Sequence, residues 1–449
     1  MTTIERVLAV PGSGAGYYED LAALQVEYVP LPQRFEADSV TPGFRAVREI
    51  AEIVSVGLVL DDGRVAWGDC VAVSYSGKAG RWPVFRAAEG LTAIREVVAP
   101  LLEGQELTGF RALAAQVEAL GEGGTETPLP AEEEVQDPSR RKFLTLGGRL
   151  SREQTTPGPE PKLHTAIRYG VSQALLGAVA LSRNLTPAEV IAEEWGLPRP
   201  QAPVPLHAQS GSERYYNAEK MIVRRIASLP HALVDDLPGQ VGTDGSEMTR
   251  YIRWLGERIS ELGGPDYRPT IHLDLHGALG RIYDARPGPM LGQLYAWELA
   301  AQPYPLRIES PVLLESRAAQ IEALKTLREY VRLRHMTVQL VADEWANTLD
   351  DIRAFVQAGA VDMVQIKMPD LGGLHNTVEA ALACRAAGVG AFLGGSYAET
   401  DLSARLSVHV ALAVGADLLM AKPGMGVDEA ISLTQNEMAR TLALIRQSG

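Results

Sequence analysis

From residue 203 onward, short apolar runs alternate with longer stretches whose apolar positions recur every three or four residues. The runs PVPLHAQ (203–209), HALVDD (231–236), TIHLDLHG (270–277), PLRIESP (305–311), TVQLVADEW (337–345), MVQIKMP (363–369), AFLGGS (391–396) and DLLMAKP (417–423) predict strands. Helices are predicted near 212–228, 245–262, 287–301, 315–334, 348–358, 374–387, 401–413 and 428–446. Within 315–334, Ile321, Leu324, Leu327 and Val331 form a stripe at helical spacing. Eight strand–helix units of about 25 to 35 residues fit an α/β fold closed as a (β/α)8 TIM-type barrel. The alternative is an open doubly wound sheet, but no glycine-rich dinucleotide fingerprint follows the first strand. The early PGSGAG (11–16) lacks that spacing and reads as a loop.

The first 200 residues are patterned differently. SVGLVLDDGRVAWGD (55–69) is a hairpin signal, two β-rich runs joined through Asp-Asp-Gly. Helical stretches follow near 85–102, 109–120, 164–182 and 186–195, giving a separate α+β region. The expected division is therefore 1–200 and 201–449. The Gly-, Pro-, Glu- and Thr-rich stretch 121–162 reads as a mobile surface insertion.

Composition narrows the function classes. A length of 449 residues exceeds what one core usually supports, consistent with two domains. Apolar residues make up 46% and charged residues 22%, with no run of membrane-spanning length, so no membrane role is expected. The opening MTTIERVLAVPGSGAG does not read as a secretion signal. Two cysteines, Cys70 and Cys384, offer neither a disulfide framework nor metal-ligand spacing, which suits the cytoplasm. A net charge of −14 argues against a nucleic-acid partner but leaves room for a small anionic substrate held by a local cation.

In such a barrel the chemistry sits at the carboxyl ends of the strands. Those ends supply Gln209, Asp274, Glu309, Asp343 and Lys367, and His231 opens the second predicted strand. Period-two alternation sets the directions. Leu273 and Leu275 face the helices, so Asp274 faces inward; Glu309 follows by the same rule from Leu306 and Ile308, and Asp343 from Leu340 and Ala342. Three converging carboxylates repel one another. A divalent cation removes that conflict, and three protein oxygens with positions left for water and substrate suit Mg2+. Alternatively, each acid caps a helix or pairs with a surface arginine.

Lys367 ends a strand on the inward face shared by Met363 and Gln365. Burial beside a divalent cation disfavours the ammonium form and leaves an amine able to take a proton from carbon next to a chelated carboxylate. Simple ion pairing with the acids is the competing explanation. Gln209 and Gln365 are neutral donors suited to a substrate carboxylate, or else satisfied core amides. A lone histidine is more often structural, but the strand position of His231 favours a role at the site.

The segments VPLHAQSGSERYY, HLDLHGALG, VADEW, MVQIKMPDLGG and KPGMGVDE, with GDCVAVSYSG and LHTAIRYGVSQALLGAVA nearer the start, together resemble the 3-methylaspartate ammonia-lyase (methylaspartase) family of the enolase superfamily. The resemblance covers nearly the whole chain outside 121–162. It implies an N-terminal capping domain over the barrel, magnesium with a monovalent cation such as K+, a homodimer, and an amino-dicarboxylate substrate. The implied reaction is elimination of ammonia from L-threo-3-methylaspartate to give mesaconate. Position by position, Asp274, Glu309 and Asp343 match the metal ligands and Lys367 the base at C3. His231 matches a histidine on the opposite face, and Gln209 and Gln365 match groups holding the substrate carboxylates. The spacings of 35, 34 and 24 residues (274 to 309, 309 to 343, 343 to 367) agree with the family.

The seventh-strand loop departs from it. GGSYAET stands where GGTCNET is usual, so the substrate-side positions carry Ser396 for threonine and Tyr397 for cysteine. IESP replaces IEGP after Glu309, and HLDLHG replaces HIDVYG around Asp274. Two alternatives stay open: another enolase-type dehydration or epimerisation, and a barrel that binds a dicarboxylate without turnover.

Overall fold

The computed structural model describes residues 2–26, 29–121, 163–211 and 213–447; apart from residue 121, the 121–162 stretch read as an insertion lies outside them. Eight parallel strands close into a barrel: β4 (Leu206–His207), β5 (Ser228–His231), β6 (Thr270–Asp274), β7 (Leu306–Glu309), β8 (Gln339–Ala342), β9 (Met363–Ile366), β10 (Gly390–Leu393) and β11 (Leu418–Met420). The alternation read from sequence is realised. Leu340, Ala342, Val364 and Ile366 join the main core, while Val341, Met363, Phe392, Leu418 and Met420 form a second apolar cluster. Closed parallel sheets bury both faces, which is why these strands read as continuous apolar runs.

The helices between them bury one stripe each. In helix Arg317–Leu333, Leu324, Leu327 and Val331 are buried and Ile321 packs against the same core. Full burial of each such side chain contributes roughly 1.5–3 kcal/mol. Ser316 caps this helix by accepting from Ala319 N at 3.3 Å. Thr348 and Thr400 each close a reciprocal capping box at the start of helices Leu349–Ala358 and Asp401–Val414. Such caps contribute about 1 kcal/mol each and fix where the chain leaves the barrel mouth.

The N-terminal region carries a three-stranded antiparallel sheet, β1 (Ile4–Glu19), β2 (Arg48–Leu60) and β3 (Val65–Cys70), in the order β1-β2-β3. Helix Thr165–Arg183 crosses β3 where both backbones are bare: a Cβ on Gly68 would lie 2.1 Å from Gly170 O. That crossing aims Tyr169 at the barrel, where its hydroxyl donates to Glu399 Oε1 at 3.0 Å.

Two expectations are corrected. PGSGAG is part of β1, with Pro11, Gly12 and Ser13 paired to Val54, Ile53 and Glu52 and a register shift before Tyr17. Its glycines serve close approach rather than a turn: a Cβ on Gly14 would meet Ala398 O at 2.3 Å, and one on Gly16 would meet Tyr397 O at 2.5 Å. The second correction concerns 231–236. The barrel strand is Ser228–His231, paired through Leu229 to Ile271 and Pro230 to His272, so His231 closes the strand instead of opening it. The apolar HALV run leaves the barrel at once, through positive φ at His231 (63°) and Ala232 (48°).

Candidate active site

At the end of each of β5 to β8 the backbone turns through a residue other than glycine in the left-handed region: His231, His276, Ser310 and Trp345, with φ of 63°, 48°, 47° and 67°. Such conformations cost about 1–2 kcal/mol each and cluster at functional sites. They surround one cavity. Its lining takes Ser74, Tyr75 and Arg81 from the N-terminal region, and from the barrel Gln209, His231, Asp274, Asp343, Gln365, Lys367, Ser396 and Tyr397. Glu309 is fully buried beside it.

One oxygen each from Asp274, Glu309 and Asp343 lies within 4.8 Å of the others. Register explains the placement, since Asp274 pairs directly with Glu309 in adjacent strands. Lys367 Nζ donates to Asp343 Oδ2, and Gln365 Nε2 donates to Glu309 Oε1. His231 Nε2 lies 3.4 Å from Asp274 Oδ2, and His272 Nε2 lies 2.8 Å from Glu309 Oε2. All nine residues singled out from the sequence therefore belong to one site.

The electrostatics differ between the acids. Burial, reinforced by Asp274 and Asp343, pushes the Glu309 carboxyl well above the usual range. Burial would also raise Asp274, but His231, His276 and Lys367 outweigh it and hold it below the usual range. Three buried carboxylates of which one resists ionisation are what a divalent cation would relieve, and an all-oxygen donor set fits Mg2+. The amide oxygens of Gln209 and Gln365 are buried with no hydrogen-bond partner among the described residues. Ser396 is more committed: its hydroxyl donates to Ala72 O at 2.9 Å and accepts from Ala398 N at 3.1 Å.

Sequence profiles of the methylaspartate ammonia-lyase N-terminus and C-terminus match residues 2–196 and 199–447. The chain belongs to the methylaspartate ammonia-lyase family. Methylaspartate ammonia-lyase 2 of Carboxydothermus hydrogenoformans is 42% identical over 98% of both chains. The Clostridium tetanomorphum enzyme is 39% identical over 98% of both. Among solved structures, the Mg complex of the Clostridium tetanomorphum enzyme superimposes with a TM-score of 0.85, at 38% identity and full coverage of both chains. The Citrobacter amalonaticus enzyme containing (2S,3S)-3-methylaspartic acid gives 0.87 at 38% identity, covering 99% of this chain and 100% of that one. Muconate lactonizing enzyme from Pseudomonas fluorescens shares the fold, with a TM-score of 0.59 at 16% identity over 93% of this chain and 87% of its own.

Several residues of the site escaped the sequence reading. His207 and His272 were legible, because each lies two positions before an inward residue, Gln209 and Asp274, and so shares its face. Arg81 was not. It comes from a glycine-rich loop of the N-terminal region, yet places Nη2 3.3 Å from Asp343 Oδ1 and Nε 3.0 Å from Asp370 Oδ2. No local pattern announces a contact across 262 positions. Ser310, the serine in IESP, donates to Glu344 Oε2 from a φ of 47° that glycine would adopt without strain.

Proposed function

We propose that this chain eliminates ammonia from L-threo-3-methylaspartate to give mesaconate. The observation that carries the proposal is that Lys367, Asp274 and Asp343 line one cavity with His231, Gln209 and Gln365, and that the buried Glu309 completes the acid cluster beside it. Asp274, Glu309 and Asp343 would hold Mg2+, which when bound would neutralise the acids and act as a Lewis acid toward negative charge on the substrate.

Lys367 takes the proton from C3. The electron pair of that C–H bond moves toward the neighbouring carboxylate, then into the C2–C3 double bond as the C2–N bond breaks. The nitrogen leaves with its bonding pair as ammonia. The Gln365 donor is committed to Glu309, so its unpartnered oxygen, with that of Gln209, is suited to accept from the substrate ammonium while amide N–H of Gln209 meets a carboxylate. His231 faces the cavity from the opposite strand end, where it would donate to the metal-held carboxylate and act at C3 of the other diastereomer. Ser396 and Tyr397 form the substrate-side wall with Tyr75.

The same proposal takes K+ as activator and a homodimer as the working form, both carried by the family resemblance, and the cytoplasm as its setting, carried by the two free cysteines. Among the described residues no helix is long and apolar enough to cross a membrane. The N-terminal region, residues 1–200, acts as the cap on the 201–449 barrel in this scheme, supported by Arg81 reaching Asp343.

The test is ultraviolet absorbance on mixing the protein with L-threo-3-methylaspartate, Mg2+ and K+, beside Lys367→Ala and a chelator-treated sample. Rising absorbance with ammonia release, and both controls silent, is the expected result. Deuterium exchange at C3 without ammonia release would keep the base and overturn the leaving group.

A further inference from the structure

Three imidazoles cluster inside the barrel, His231 lining the cavity with His207 and His272 packed against it at tilted and edge-on angles. The ring centroids of His207 and His272 are 4.5 Å apart and those of His207 and His231 are 5.2 Å apart, with Phe392 against His207 at 5.2 Å. His207 and His272 are fully buried. Hydrogen bonds link two of them into a chain. Ser228 Oγ lies 3.0 Å from His207 Nδ1, His207 Nε2 lies 3.1 Å from His231 Nδ1, and His231 Nε2 lies 3.4 Å from Asp274 Oδ2.

We propose that His207 is a positioning residue that, with Ser228, sets the resting tautomer of His231. The ends of the chain set its direction. The Asp274 carboxylate oxygen is an acceptor, so the ring nitrogen 3.4 Å from it carries a hydrogen. His231 Nδ1 is then an acceptor, His207 Nε2–H donates to it, and His207 Nδ1 accepts from the Ser228 hydroxyl. Burial, with the neighbouring His231 and Arg307, holds His207 well below the usual imidazole range, so it keeps a single N–H to give. In this resting polarity His231 offers Nε2–H to a carboxylate in the cavity. Because a hydroxyl can donate or accept, Ser228 also supports the reversed polarity during turnover, in which Nδ1–H is donated to His207 and Nε2 has a free lone pair to take a proton from C3.

This rests on the role given to His231 above, and two variants separate a hydrogen-bonding role for His207 from a packing role. His207→Phe keeps a ring against Phe392 but can neither donate nor accept. His207→Gln loses the ring and keeps an amide that can do both. If His207 acts through its hydrogen bond, turnover of the C3 epimer falls about tenfold or more in His207→Phe and returns to within about threefold in His207→Gln, the scale typical of groups that orient a functional imidazole. Packing alone predicts the reverse order, and that order would overturn the proposal. Two-bond proton–nitrogen correlation on histidine-labelled, unsubstituted enzyme should show His231 hydrogenated on Nε2, its signal assigned by loss in His231→Asn. A ring hydrogenated on Nδ1 would sink the proposal even if both His207 variants failed to fold. If His231→Asn turns over both epimers normally, the role of His231 at C3 falls instead, whatever the tautomer.

Discussion

Arg81 and Asp343 are joined across the boundary between the N-terminal region and the barrel, Nη2 to Oδ1 at 3.3 Å, with both side chains buried. Burial alone would lower the Arg81 guanidinium, but Asp370 and Asp343 outweigh it and raise it further, so it stays charged. Asp343 thus receives Arg81 on one oxygen and Lys367 on the other. The first contact orients a carboxylate of the cluster, and the second ties that carboxylate to the base.

Removing one partner of a buried ion pair leaves the other uncompensated, at a cost of roughly 3–5 kcal/mol. Arg81→Ala should therefore lower the unfolding free energy by that order and raise the Mg2+ concentration for half-maximal activity at least about tenfold. Arg81→Lys should recover charge but not the two-pronged contact to Asp343 and Asp370. Thermal unfolding and Mg2+ titration of activity check both. An unchanged Mg2+ midpoint in Arg81→Ala would confine the residue to holding the two regions together.

Much of the barrel and its site was legible in the sequence because period-two alternation ties direction to position. Once Leu273 and Leu275 face the helices, Asp274 has only the interior left, and the closed sheet brings neighbouring strand ends together. His231 shows the limit. The apolar HALV run resembles a strand more than SLPH does, and only pairing with β6 decides which segment enters the barrel. The PGSGAG glycines misled for a related reason: glycine permits a turn and equally permits a strand to touch another backbone, here the loop of Tyr397 and Ala398. Arg81 depends on long-range packing, to which local periodicity is blind.

Glu309 makes cation binding depend on pH. Its carboxyl sits well above the ordinary 4.5, through burial and then Asp274 and Asp343. Between 4.5 and that raised value the folded site holds a proton that the unfolded chain has released, so stability falls as pH rises. Seating a cation displaces the proton, so Mg2+ affinity should rise with pH over the same window, by up to about tenfold per unit. Mg2+ titrations followed by thermal unfolding between about pH 5 and about pH 8 measure this. An affinity flat across that range would mean that Glu309 is already ionised.

His164 should make the N-terminal region sensitive to acid. Its Nδ1 accepts from Ala166 N at 3.0 Å, capping helix Thr165–Arg183, while Nε2 lies 2.9 Å from Pro83 O. A protonated ring cannot accept, and burial pulls His164 down to about 4. The folded value lies below the ordinary 6.5, so the folded chain binds fewer protons and stability is lost as pH falls from about 6.5 toward about 4. His164→Asn keeps a capping acceptor that does not titrate. Its melting temperature should fall less steeply over that interval than that of the unsubstituted protein, and parallel slopes would assign the acid sensitivity elsewhere.

Tyr397 bears on substrate size. It lines the cavity with Tyr75, Leu233 and Met420, at a position where the family resemblance leads one to expect cysteine. Its backbone is pinned from behind, since Gly16 and Gly424 allow Tyr397 O to approach closer than any Cβ would tolerate. The backbone there therefore cannot back away, and in this position the phenol fills space along the cavity wall. Replacing it by a small side chain should open room beside C3, and one methylene in such a pocket is worth about 1–3 kcal/mol of discrimination. Tyr397→Cys should accordingly raise kcat/KM for 3-ethylaspartate relative to 3-methylaspartate by about tenfold or more. Steady-state kinetics on the two substrates measure the ratio. A ratio that stays constant while both rates fall would place the phenol against the carboxylate end of the substrate, where it contributes binding and not size selection.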